Sequence, residues 1–366
     1  MAPAWDDLKR KLEELEGKPL EFTKQEVSLE ALKNMVAAHF IRPDTLPQIQ
    51  PMLATDAGIF TDEAAEQVND AKYAIEPKFN GVRMLCFLLN GRVRFQTRGR
   101  SLHTQLFTER TDHYPQFHKP YPEEYDGTVL DGELVAYPNT PNRKSRLWCD
   151  NDLHLAMSIN GGGALSGIEV QEKRGWARYI VFDILSLGGM NVEKEPLKVR
   201  RKLLKEHLSK LGLGFDLTPQ WIPGKRFSVK ERYDAVVKQG GEGLIIKDRE
   251  SRYERRRAKT WWKFKRFEEE VGYIHSIHKM GDRGIAGMVG SVVVADKDGN
   301  KIAIVGSLSH EDRRKMVGEN GQLSPEYVGK KVLIRYHVKH KETGNPHHAR
   351  LVAWLDDDVH YEKEEH

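Results

Sequence analysis

Residues 75–83 read IEPKFNGVR, and the fold of the chain turns on how that stretch is taken. It joins YAIEPK (73–78), a short β-rich run, to VRMLCFLL (82–89), a nearly continuous apolar one. Two such runs joined by a short turn containing Asn80 and Gly81 read as strands connected by a hairpin. Lys78 is then either a solvent-facing lysine before a turn or a nucleophile. A lysine amine becomes nucleophilic when neighbouring cations or desolvation strip its proton. The string K-x-N-G-x-R also occurs in hairpins by chance, so alone it leaves both readings open.

Further β-rich runs follow, namely RVRFQT (92–97), TVLDGELVAY (128–137), ARYIVFDILSL (177–187), GLIIKD (243–248) and WWKFKR (261–266). Helical spacing marks residues 4–17, 28–40, 196–211 and 228–240, the second with Ser28 placed to cap it and the last ending on Gly240-Gly241. RPDTLPQIQP (42–51), with three prolines, reads as a connector. After Glu268–Glu270 the runs VGYIHSIHK, GSVVVADKDGNKIAIVG and GKKVLIRYHVKH alternate and turn on DKDGN, which suggests a small separate barrel or sandwich.

Composition narrows the class. Hydrophobic residues make up 39% and charged residues 31%, as in a globular protein with a highly charged surface. No run of about 18 apolar residues is present, so no membrane helix is expected, and the first residues lack a signal-peptide core. Two cysteines, Cys86 and Cys149, cannot build a four-cysteine zinc module and fit an intracellular, cytoplasmic setting. The net charge of +4 is mild, but KDRESRYERRRAKTWWKFKR (247–266) is mostly basic with aromatics between. Such a stretch suits a polyanion; the plain alternative is a solvated surface.

Lys263 and Lys265 stand two apart and share one side of a strand. Asp131 and Glu133 do the same in LDGELV. Glu242 at a strand mouth suits a hard cation, and Arg83 and Arg98 are guanidinium forks suited to phosphate. Each has an unremarkable reading as surface charge, and Phe182 inside IVFDIL reads by default as core.

Taken in order, IEPKFNGVR, TRGR (97–100), LDGELV (130–135), YIVFDIL (179–185), GEGLIIKD (241–248) and WWKFK (261–265) resemble the motif set of the covalent nucleotidyltransferases, most closely the ATP-dependent DNA ligases. QPMLA (50–54) is similar to the stretch that opens their catalytic domain. The resemblance implies an α+β fold: a nucleotidyltransferase (adenylation) domain of antiparallel sheets and helices over 50–268, then an OB-fold β-barrel over 271–358. A helical extension (1–49) would precede them and a charged tail (359–366) follow. It further implies that Lys78 is adenylated by ATP, with Lys263 and Lys265 on the α-phosphate. Glu76 would face the adenine edge, Phe182 stack on the base, and Arg83, Arg98 and Glu133 hold ribose and phosphate. Glu242, with Glu133, would serve Mg²⁺ (or Mn²⁺), and Arg350 would orient pyrophosphate. The implied partner is nicked double-stranded DNA, bound by a monomer, with no membrane.

Two features depart from the family pattern. Asn80 stands in the catalytic motif where family members carry Asp, keeping shape but losing charge. The terminal stretch VLIRYHVKHKETGNPHHARLVAWLDDD lacks the concluding lysine, and its histidines 337, 340, 347 and 348 raise the thought of a metal. An RNA ligase, another lysine nucleotidyltransferase, or a nick-binding protein impaired in sealing are the alternatives.

Overall fold

The computed structural model describes residues 5–21, 45–58, 60–138, 151–212, 214–224, 226–280, 288–318, 321–337 and 349–356, with isolated positions 23, 28, 31, 35 and 346. The chain forms two compact units, Met1–Ala57 with Thr61–Phe264, and Gly58–Phe60 with Lys265–His366.

The first unit opens with α1 (Trp5–Glu16), β1 (Leu53–Asp56), α2 (Asp62–Gln67), β2 (Tyr73–Pro77), β3 (Val82–Leu89), β4 (Arg92–Arg100), β5 (Phe107–Glu109) and β6 (Val129–Val135). It continues through α3 (Leu153–Gly161), α4 (Ala164–Arg174), β7 (Arg178–Leu187), β8 (Met190–Asn191), α5 (Leu197–His207), β9 (Phe215–Leu217), α6 (Val229–Lys238), β10 (Gly243–Asp248) and β11 (Arg257–Lys265). These strands make two sheets. One has the order β1-β11-β10-β2; the other runs β5-β4-β3-β6-β7-β8, with β9 parallel beside β7. IEPKFNGVR therefore does not close a two-strand hairpin. β2 pairs with β10, whereas β3 pairs with β4 and β6, so the turn after Lys78 carries the chain from one sheet to the other.

β3 shows why its sequence is almost wholly apolar. Met84, Cys86 and Leu88 face one core, with Phe95, Tyr179 and Ile159 of α3. Leu85 and Phe87 face a second, with Met52, Leu185, Tyr253 and Trp261. A strand covered on both sides loses its polar alternation. The buried aromatic and aliphatic surface on these two faces supplies the main stabilisation, at roughly 25 cal/mol per Å².

Local chemistry sets the helix ends. Ser228 caps α6 by accepting from Glu231 N–H, and Glu231 accepts from Ser228 N–H in return, a reciprocal box. Ala31 N–H donates to Ser28 Oγ at 3.1 Å, but the remainder of the helix expected over 28–40 falls largely outside the described residues. The proline-rich connector is packed rather than loose from Thr45 onward. Leu46, Ile49 and Met52 are buried, and Gln96 Nε2 donates to Ile49 O at 2.7 Å.

The second unit contains β12 (Glu268–Met280), β13 (Val289–Ala295), β14 (Lys301–Val305), α7 (His310–Lys315), β15 (Lys331–Tyr336) and β16 (Arg350–Trp354). The strand order is β14-β13-β12-β15-β16. β12 serves two neighbours: residues 268–273 pair with β15 and residues 273–280 with β13. A parallel bridge from Ser307, just past β14, to Arg350 in β16 brings the two edges together. The DKDGN turn is tied by Asp296, whose carboxylate accepts from Asp298 N–H, Asn300 N–H and the Asn300 amide; these bonds hold its pKa below the usual carboxylate range. Arg313 of α7 donates to the carbonyls of Val289 and Gly290, each at 2.6 Å, and also to Gly306 and Leu308. No described helix is long and apolar enough to cross a membrane.

Candidate active site

Lys78 leaves the end of β2 with its N–H donating to Gly243 O at 2.9 Å, across to the first residue of β10. That backbone bond brings the side chain beside Glu242, and Nζ lies 2.5 Å from Glu242 Oε2. Gly81 follows in the crossing turn. A Cβ there would meet Leu134 O at 2.3 Å and Glu133 Cγ at 3.0 Å, so glycine lets the chain press against β6. Asn80 is half-buried in the same turn, and its amide makes no hydrogen bond among the described residues.

Arg83, Lys247 and Lys263 also each hold a carboxylate. Arg83 grips Asp131 through Nε at 3.0 Å and Nη2 at 2.6 Å, and Tyr253 Oη donates to the same carboxylate at 2.6 Å. Asp131 is thus the fully buried anchor of Arg83, not a surface companion of Glu133. Lys263, opposite Asp56 in the β1–β11 register, reaches that carboxylate at 3.2 Å. Glu76 is buried on β2, paired with Lys247 at 2.7 Å and accepting from the Gln220 amide at 2.8 Å. Phe182 is half-buried, with the Arg83 guanidinium 5.0 Å and the Lys247 ammonium 4.6 Å from its ring centroid.

Glu133 is the exception. It lies opposite Arg83 in the β3–β6 register, and its carboxyl makes no hydrogen bond among the described residues. Burial pushes its carboxyl up to about 7, with Glu242 adding to the rise, while Lys78, Arg83 and the exposed Arg98 pull it down. Those couplings place Lys78, Arg83, Arg98, Glu133 and Glu242 in one electrostatic neighbourhood.

Glu76, Lys78, Arg83, Glu133, Phe182 and Glu242 are therefore brought together at the meeting of the two sheets, with Arg98 coupled to Glu133, while Lys263 is held on Asp56. Lys265 and Arg350 belong to the second unit. There Lys265 Nζ lies 3.3 Å from His337 Nε2, and Arg350 is exposed at the start of β16. His337 stacks on Phe267 with centroids 4.7 Å apart, while His340, His347 and His348 lie outside the described residues. Among the described residues no group of three or more His, Cys, Asp or Glu could hold a metal.

Lys247, Gln220, Asp56 and Tyr253 escaped the sequence reading. Lys247 was visible inside GEGLIIKD; the others owe their places to pairings between distant segments. The basic stretch 247–266 is largely engaged within the protein: Arg255 on Glu193, Arg256 on Glu254, Arg249 on Ala71 O and Arg257 on Ala54 O.

The same arrangement has relatives. The family described as ATP dependent DNA ligase domain matches residues 51–265, more than half of the chain, and the chain belongs to that family. DNA ligase C1 of Mycolicibacterium smegmatis is 28% identical over 286 residues, covering 75% of this chain and 72% of that protein. A probable DNA ligase of Koribacter versatilis is 25% identical over 300 residues, 74% of this chain but 48% of that protein. DNA ligase 1 of Methanosarcina acetivorans is 24% identical over 224 residues, 61% of this chain and 36% of that protein. The chain thus spans half or less of the latter two. Among solved structures, a Lig E DNA ligase, described as binding DNA with a minimal scaffold, superposes with a TM-score of 0.57 at 18% identity, over 85% of this chain and all of that one. A structure named Pmar-Lig_PreS3 gives 0.58 at 20% identity, over 90% and 72%. The family read from motif order is the family found, and the mixed α/β fold is shared with these ligases.

Proposed function

We propose that the protein seals 5′-phosphate/3′-hydroxyl nicks in duplex DNA through a lysyl-AMP on Lys78. The observation that carries this reading is the placement of Lys78 at the crossing between sheets, 2.5 Å from Glu242 and coupled to Glu133, which stands opposite Arg83. The Lys78 amine attacks the α-phosphorus of ATP, a P–N bond forms, and the P–O bond to pyrophosphate breaks. Glu242 is the nearest group to take up the ammonium proton. Arg83, Arg98, Lys263 and Lys265 neutralise charge on ribose and phosphate oxygens, which is where the barrier is lowered. The AMP then moves to the DNA 5′-phosphate, and the 3′-hydroxyl displaces it.

Glu242 and Glu133 are hard oxygen donors and fit Mg²⁺ (or Mn²⁺) that keeps phosphate and water oxygens for its remaining positions. Such an ion would supply charge neutralisation at the phosphates. The second unit is read as an OB-type barrel that binds the duplex, and Arg350 as the residue that orients the outgoing pyrophosphate during charging. Its support is the five-strand order, the shared long first strand, and the parallel bridge between edges. Catalytic residues 50–268, the barrel 271–358, and flanking segments 1–49 and 359–366 complete this reading, with the protein acting as a monomer inside the cell.

Intact-mass measurement after ATP and Mg²⁺ tests the first step. The expected result is an AMP adduct on the wild type and none on Lys78→Ala. An adduct that persists in the variant removes Lys78 as nucleophile. Labelling by GTP alone favours a capping-type enzyme, and binding to nicked DNA without any adduct favours an impaired nick-binding protein.

A further inference from the structure

Gln220 belongs to none of the quoted motifs, yet its segment is held from both sides. Thr218 N–H donates to Val181 O at 2.9 Å, which fixes the segment to β7 one residue before Phe182. Trp221 N–H donates to Ile75 O at 2.9 Å and Ile75 N–H returns a bond to Trp221 O at 2.8 Å, one residue before Glu76. Residues 218–221 thus run from the strand carrying the aromatic ring to the strand carrying the carboxylate, in two different sheets. Gln220 sits in the middle, and its amide donates to Glu76 Oε1 while Lys247 holds Oε2.

A carboxylate only 2% exposed needs its oxygens satisfied, and here two donors from separate segments fix its orientation. Each oxygen retains a second lone pair. Lys247 Nζ bonds Oε2 at 2.7 Å and lies 4.6 Å from the Phe182 centroid, so a single ammonium stands against both the carboxylate and the ring. Arg201 of α5 reinforces the same segment. It is 5% exposed, donates to Thr218 O, has no protein partner for Nε and Nη1 among the described residues, and interacts with the charge of Glu76.

A base stacked on Phe182 turns one edge toward this fixed acceptor. An ionised carboxylate accepts and cannot donate, so it favours an edge bearing an exocyclic amine over one bearing a carbonyl. We propose that Gln220 is a positioning residue for nucleobase choice: by fixing the Glu76 carboxylate beside Phe182, it makes the site select adenine over guanine nucleotides. The inference rests on the reading that Lys78 accepts a nucleotide.

The test measures nucleotidyl transfer to Lys78 against concentration of ATP, GTP and purine riboside triphosphate, which lacks the exocyclic amine. In Gln220→Leu the KM for ATP is expected to rise about tenfold, the value of one hydrogen bond to a charged group. The rate at saturating ATP should stay within about twofold of wild type, because the reacting atoms are untouched. ATP should also lose its advantage over the amine-free analogue. Gln220→Lys, which retains a donor, should keep much of the wild-type discrimination. Gln220→Met, closer in shape, replaces the leucine variant if that does not fold. Unchanged ATP/GTP and ATP/analogue ratios in a folded variant overturn the proposal, as does a wild type that uses ATP and the analogue equally. A wild type that takes no label from any nucleotide instead removes the parent reading, and this proposal with it.

Discussion

Glu133 and Gly81 touch one another, and they show what a single residue contributes here. The Glu133 carboxyl is raised from an ordinary 4.5 to about 7, chiefly by burial. Between those two values the native protein holds a proton that the unfolded chain has already released. Stability therefore falls as pH rises through that window and levels off above about 7. Glu133→Gln cannot ionise and should flatten the profile, visible as a smaller drop in Tm between pH 4.5 and pH 8 than the wild type shows. An equally steep profile in the variant would assign the slope to other groups. Gly81 is legible in sequence as a turn residue, and the natural guess is that it makes room for a ligand. The nearest atom a Cβ there would meet is the Leu134 carbonyl oxygen, a closeness set by the pairing of β3 with β6 that no local pattern encodes. Lys78, Glu133 and Glu242 could be singled out because their motifs fall in a recognisable order. Gln220 and Asp56 could not, because a glutamine after a proline or an aspartate after a strand is common and only the register gives each its partner.

Among the elements, α5 is attached to β7 by a pair that lies wholly inside. Arg200 and Asp183 are both 0% exposed and joined by two hydrogen bonds of 2.7 and 2.9 Å, while Arg200 also donates to Glu195 O and Ser251 O. Removing one member strands the other charge. Arg200→Met should cost about 3–5 kcal/mol in denaturant unfolding, and adding Asp183→Leu should recover part of it. If the double variant is no more stable than the single, the stranded charge is not what destabilises it. The strands were readable because β-branched and aromatic runs are bounded by turn residues. The α3–α4 pair was not: NGGGALSG (160–167) contains three consecutive glycines, and Met157 and Leu165 point outward, so the apolar stripe that marks a helix is blurred. The 196–211 run was readable to its end, though its last turn tightens into a 3₁₀ stretch at Leu208–Leu211.

For the whole molecule, the absence of a core shared between the two units, among the described residues, implies that each is separately perturbable. Val292, Val294, Val305, Val332 and Ile334 pack the core of the second unit without any residue of the first unit. Arg313 links the start of β13, the end of β14 and α7 in that unit, so Arg313→Ala leaves several carbonyls without their charged donor and should destabilise it by about 2–4 kcal/mol. Calorimetry should show Arg313→Ala lowering one transition and Arg200→Met the other. A single transition lowered by both variants would show that the chain unfolds as one cooperative body.

The Lys78–Glu242 contact joins positions 164 residues apart, and the sheet around it pairs β1 and β2 with β10 and β11. During synthesis, a chain that has made the lysine must still make most of the first unit before the sheet can close. Contacts of such long sequence separation slow folding. A ribosome-bound fragment ending before Glu242 would carry Lys78 without its counter-charge or its strand partner, so nascent and truncated chains of that length are expected to take up no AMP adduct by intact mass. The order of strands along the polypeptide thus delays the closing of this sheet until nearly all of the first unit has been translated.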